Sequence, residues 1–239
     1  MKEGDSNIEM LELVASGFGS LVNDVVFLGG CTAGFLVTDP AAPPPRETKD
    51  VDVIVEVLSY HDYYILSQQL KDRDFKEDTS DGAPMCRWIY DSLIVDVMPT
   101  KEGILGYTNK WYIEAMHTSE PVKLSNGVKI SMIAAPCFLA TKLEAFYGRG
   151  NGDYMASHDL EDLIAVLDGR VTIVDEVMQS SEVLRSYLAE EFMKLLNNDD
   201  FQDALPCQLP PDEASQARLT IILDRMKQVS NITSLGFKS

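Results

Sequence analysis

The sequence predicts an α+β fold: a mixed sheet with flanking helices first, then a mostly helical C-terminal region. Two observations carry this. Short runs of β-branched and aromatic residues, at 25–28, 51–58, 85–90 and 93–98, all lie in the first half of the chain. From Pro136 onward the apolar residues recur at helical spacing. That change of character predicts two domains, 1–130 and 131–239, dividing near residue 130.

The elements follow in order. Residues 6–9, Ser-Asn-Ile-Glu, fit a capping box, and Met10, Leu11, Val14, Phe18 and Leu21 continue it as a helix. Residues 25–28 form a strand that ends at Gly29-Gly30, where a second helix is predicted to start and run through Ala33 and Phe35 towards Val37. Residues 39–48 hold four prolines and are predicted as a loop. A strand follows over 51–58, a helix over 61–71, and a solvated loop over 72–81. Residues 85–90 and 93–98 pair as a hairpin turning at Asp91-Ser92. Helices are predicted over 138–147, 157–167, 175–196 and 212–229, with Gly148 and Gly169 as stops and 197–211 as a linking loop.

Composition narrows the function classes. The chain has 239 residues, 45% of them hydrophobic, enough for a sizeable core. No stretch approaches the roughly 20 apolar residues of a membrane span, and MKEGDSNIEM is too acidic and polar for a secretory signal. A cytoplasmic protein without a membrane partner is expected. Cys31, Cys86, Cys137 and Cys207 lie far apart with no C-x-x-C pair, which reads as isolated buried thiols. The net charge of −18, from 38 acids and 20 bases, repels polyanions and argues against broad nucleic-acid coating. It leaves room for a local cationic patch around one RNA end. His61, His117 and His158 share no spacing, so neither a zinc site nor a nucleophilic triad has support. Trp88 and Trp111 read as core or rim residues.

Three carboxylates stand out. Asp50 and Asp52 are two apart on a strand and so share a face, together with Ile54 and Glu56. An edge strand with one wet face is the plainer alternative. Asp96 interrupts the apolar run LIVDVM, where a buried carboxylate costs several kcal/mol unless it is paired or metal-bound. A buried salt bridge is the alternative there. Converging, the three would hold magnesium, with manganese able to replace it, as a two-ion site about 3.5 to 4 Å across. Gly29-Gly30 would let a triphosphate approach the backbone at the start of the second helix, with Thr32 adding a hydroxyl contact. Lys142 would neutralise the triphosphate, and Arg149 flanks the same helix. Both have solvated surface cations as the plainer reading. Asp159 and Asp162 are three apart on one helical face behind a Ser157 N-cap, with Asp159 a candidate nucleotide contact.

Taken as an ordered set, Gly29-Gly30, Asp50-Val51-Asp52 and Asp96 resemble the minimal nucleotidyltransferase superfamily with the polymerase-beta-like palm. The segment ATKLEAFYGRGNGDYMASHDLEDLIAVLDGR is similar to the Lys-Leu-x-Ala, Arg and Asp-Leu-x-Asp segments of its AbiEii/AbiGii-type toxins. The resemblance covers about residues 22–170. It departs from that group in the GGCT turn, which is closer to tRNA CCA-adding relatives, and in the proline-rich insertion before Asp50. It implies a nucleotidyltransferase palm at 1–130 with Asp50, Asp52, Asp96 and Lys142 as catalytic residues. The reaction implied is transfer of a nucleoside monophosphate from an NTP to an acceptor hydroxyl, with release of pyrophosphate. The acceptor is a tRNA 3′ end, a protein or a small molecule, and toxin-group members often have an antitoxin partner. A small-molecule transferase of the antibiotic-modifying kind, or a non-catalytic nucleotide- or partner-binding palm, are the alternatives.

Overall fold

The computed structural model describes residues 6–106, 108–148 and 152–232. The chain divides into two compact units, Met1–Gly34 with Glu47–Ala134, and Phe35–Arg46 with Ala135–Ser239. Unlike the expected division, this one assigns Phe35–Arg46 to the second unit. The physical reason is long-range pairing. The Thr38 and Asp39 amides donate to the Gly169 carbonyl at 2.9 and 2.8 Å, and Arg46 pairs with Asp162. Partners so distant in sequence leave no local pattern.

The first unit is a mixed seven-stranded sheet with helices. Its strands are β1 (Val25–Leu28), β2 (Asp50–Val55), β3 (Lys76–Glu77), β4 (Arg87–Tyr90), β5 (Leu93–Pro99), β6 (Glu120–Lys123) and β7 (Lys129–Met132), in the order β3-β4-β5-β2-β1-β7-β6. β2 lies parallel to β5 and β1 parallel to β7, while the other neighbours are antiparallel. The helices are α1 (Ser6–Phe18), α2 (Ala33–Leu36, where the chain leaves this unit), α3 (Tyr60–Lys71) and α4 (Tyr112–His117). α1 buries Met10, Leu11, Val14 and Phe18 along one stripe. Phe18 meets the edge of Phe27 at 6.0 Å and lies 5.0 Å from Phe75, which stacks on Tyr90 at 4.4 Å.

Several expectations need correction. The predicted solvated loop over 72–81 contains Phe75, which is 1% exposed, and the edge strand β3. Its acids surround one aromatic anchor that a composition count overlooks. The helix α4 and the hairpin β6–β7 have no counterpart among the predicted elements. The strand sequences, EPVK and KISM, are short and charge-flanked, with too few apolar residues for periodicity to register. Leu21 belongs to a 3₁₀ turn after α1.

The second unit is helical: α5 (Ala135–Gly148), α6 (His158–Gly169), α7 (Ile173–Gln179), α8 (Glu182–Leu196), α9 (Asp199–Ala204), α10 (Glu213–Ala217) and α11 (Leu219–Ser230). Ser157 caps α6, its Oγ accepting from the Leu160 amide at 3.3 Å. The single helix expected over 175–196 is two, because Ser181 caps a new start by accepting from Leu184 N–H. Asn198 likewise starts α9 inside the expected loop, accepting from Phe201 N–H at 2.8 Å. The helix expected over 212–229 breaks at Arg218, whose guanidinium is drawn to Asp168 and Asp39. Among the described residues no helix is long and apolar enough to cross a membrane.

Candidate active site

The strand register builds the site. Leu28 on β1 faces Asp52 on β2, Asp52 faces Asp96 on β5, and Asp96 faces Arg87 on β4. Residues paired across strands share a face, so one row crosses four strands with two acids and one arginine in it. Asp50 lies two residues from Asp52 on the same face. Asp50, Asp52 and Asp96 each offer a carboxylate oxygen, and these oxygens lie within 4.8 Å of one another. The edge-strand alternative fails, because β2 is the central strand of the seven. The acidic face is also shorter than the alternation suggested. Ile54 is fully buried, and the exposed Glu56 lies beyond the end of β2.

Two of the acids are held by neighbours that the sequence pattern did not single out. Thr48 Oγ1 donates to Asp50 Oδ1 at 2.5 Å, and the Thr48 amide donates to Oδ1 of the buried Asn7 at 2.9 Å. Arg87 grips Asp96 with a fork, Nε to Oδ1 and one terminal nitrogen to Oδ2, both at 2.9 Å. Asp96 is therefore both a buried salt-bridge partner and a member of the acid group. The hairpin already held the signal for Arg87. Counting outward from the Asp91-Ser92 turn, Tyr90 faces Leu93, and three pairs further Arg87 faces Asp96.

Gly29 shapes the wall beside Asp52. Its φ of 78° and ψ of −172° fall in a region open essentially to glycine alone. The turn after it is a 3₁₀ turn, Gly30–Thr32, followed by the four residues of α2. A single turn carries little macrodipole, so the helix-terminus contribution expected here is small. Thr32 is fully buried and its hydroxyl donates to the Gly29 carbonyl at 2.8 Å. It closes the turn rather than presenting a surface hydroxyl.

The donor set fits a divalent magnesium-type ion. All three ligands are hard carboxylate oxygens, and neighbouring ligands on an octahedron with 2.0–2.1 Å bonds sit about 3 Å apart. Three carboxylates and one guanidinium carry a net charge of −2, which one divalent ion balances. The Cys86 thiol registers the local field. Burial first, then the charges of Asp96 and Asp52, push its pKa up to about 11.

The second unit holds the other predicted residues. Lys142, 6% exposed, donates to Asp159 at 3.1 Å and to Asp162 at 2.6 Å. Arg46 adds a fork to Asp162 at 2.9 and 3.1 Å. The solvated-cation reading of Lys142 therefore fails. Two cations face two carboxylates in this buried network, and the three-residue spacing on α6 turns both acids towards Lys142. Arg149 lies outside the described residues. Of the four cysteines, Cys31 and Cys137 are buried as expected, Cys86 is half-buried and Cys207 is exposed.

The chain matches no protein-family model and no curated protein sequence.

Proposed function

We propose that this protein is a magnesium-dependent nucleotidyltransferase, transferring a nucleoside monophosphate from an NTP to an acceptor hydroxyl. The observation carrying this reading is the convergence of Asp50, Asp52 and Asp96 on one sheet face, with Gly29 packed against the Asp52 carboxylate. Three like charges so close are costly to fold, and a divalent cation bound among them would offset the part of that cost which Arg87 leaves. Bound magnesium would supply charge neutralisation at the transferring phosphoryl group and align the attacking and leaving oxygens.

The chain's own residues divide the work. Asp50, fixed by Thr48, and Asp52, fixed by its place on the central strand, hold the ion. Asp96 lies across from Asp52 and accepts the proton of the acceptor hydroxyl. The acceptor oxygen bonds to the α-phosphorus as the bond to the bridging oxygen of the β-phosphate breaks, and pyrophosphate leaves. Gly29 and Gly30 are both buried, Gly29 against the Asp52 carboxylate, and their role as phosphate contacts rests on the family resemblance. The roles of Lys142 and Asp159 as nucleotide contacts rest on the family resemblance alone, as does an antitoxin partner. The net charge of −18 favours a small molecule or a protein over RNA as acceptor.

The test is calorimetric titration of each NTP with and without magnesium, on wild type and Asp52→Asn. Magnesium-dependent binding that is lost in the variant is the expected result. Absence of binding for every NTP would refute the transferase reading.

A further inference from the structure

Arg87 has no role in the proposed reaction, yet it makes the tightest charged contact in the acid group. Its fork covers both oxygens of Asp96, which also lies opposite Asp52. A carboxylate oxygen has a second lone pair, so Asp96 can still reach a metal ion. A divalent ion on that carboxylate would, however, face a guanidinium across the same group, and the two cations repel. The Arg87 side chain is 27% exposed against 12% for Asp96, so the pair borders solvent on the arginine's side. Lys142 shows the contrast, since its side chain is 7% exposed inside a network of paired charges. A guanidinium fork matches a phosphate as well as it matches a carboxylate.

We propose that Arg87 is an exchangeable counter-ion: it holds Asp96 until metal enters, then turns to the polyphosphate of the incoming substrate. The inference rests on the nucleotidyltransferase reading and adds an order of events to it. Without metal, Arg87 lowers the charge of the acid group from −3 to −2 and keeps Asp96 aimed at Asp52. Metal binding weakens its grip on Asp96, and the freed fork recognises the substrate's phosphates. Arg87 is thus a positioning residue for Asp96 in one state and a substrate contact in the other.

Manganese, counted by electron paramagnetic resonance, and inorganic tripolyphosphate serve as probes on the full chain. Arg87→Gln should bind manganese alone about tenfold more tightly than wild type, because a cation that repels the ion is gone, the opposite of the loss caused by removing an ordinary ligand-supporting residue. The same variant should bind tripolyphosphate at saturating manganese about tenfold more weakly. Arg87→Lys should fall between the two. Asp96→Asn, which releases Arg87 without removing it, should bind tripolyphosphate more tightly than wild type when manganese is absent. Unchanged or weaker manganese binding in Arg87→Gln, or unchanged tripolyphosphate binding in both Arg87→Gln and Asp96→Asn, overturns the exchange. If Arg87→Gln does not fold, the Asp96→Asn result decides. Manganese binding by wild type that Asp52→Asn abolishes keeps the metal site standing even when the exchange fails. No manganese binding by any form removes both.

Discussion

A Cβ added to Gly29 would stand 1.9 Å from Oδ2 of Asp52 and 2.8 Å from its Cγ. The glycine is therefore the wall against which a central carboxylate rests. Gly29→Ala brings two penalties, a backbone conformation essentially closed to alanine and displacement of Asp52. We expect about 2 kcal/mol of destabilisation and a weakened response of the melting temperature to magnesium. Gly127, at φ +89° with nothing within 4 Å of where a Cβ would stand, serves as the control. Gly127→Ala should cost stability but leave the magnesium response intact. Equal magnesium responses in the two variants would refute the link between Gly29 and Asp52.

Lys142 should be a stability determinant of the second unit. Replacing it with Met keeps the stem but leaves Asp159 and Asp162 buried without its charge, while Arg46 still pairs with Asp162. Breaking a buried pair from one side costs about 3–5 kcal/mol. Urea denaturation should show a loss of that order for Lys142→Met, and a smaller loss for the double variant Lys142→Met with Asp159→Asn. A loss below about 1 kcal/mol in the single variant would show that the network contributes little.

The Asp91-Ser92 turn predicts a stabilising change. Both residues have positive φ, 46° and 70°, as a tight two-residue hairpin turn requires. Serine is strained there and glycine is not. Ser92→Gly should raise stability by about 0.5 kcal/mol, read as a higher urea midpoint. A lower midpoint would mean that the Ser92 side chain stabilises the turn.

Acid should weaken the second unit through Asp39. The Arg218 guanidinium bonds its Oδ2 at 2.6 Å, and the Ala41 amide its Oδ1 at 2.9 Å, so its pKa lies below the ordinary value. Asp168 and Arg225 complete the charged surroundings of Arg218. A depressed carboxylate pKa contributes stability above the unfolded value, about 3.9, and loses it as pH falls through the folded one. Asp39→Asn should therefore lower stability near neutral pH and show a shallower loss on acidification. Parallel pH profiles for the two proteins would refute this.

Local chemistry in the chain determined much of the outcome. The β-branched runs, the Ser157 helix start, the Asp91-Ser92 turn and the shared face of Asp50 and Asp52 all follow from interactions a few residues long. Even the Arg87–Asp96 pair is implied by that turn, since a two-residue hairpin sets its register. Tertiary structure alone decided the rest. The parallel register of β2 on β5 puts Asp52 opposite Asp96, although no short-range signal relates strands so far apart in sequence. The proline-rich stretch joins the second unit because Gly169, Asp162 and Arg218 satisfy its amides and charges from more than a hundred residues away. The sequence offers Lys142 as a phosphate contact or a surface cation, and packing alone turns both acids of α6 towards it. Spacing along a chain specifies which residues share a face, but only packing specifies what that face meets.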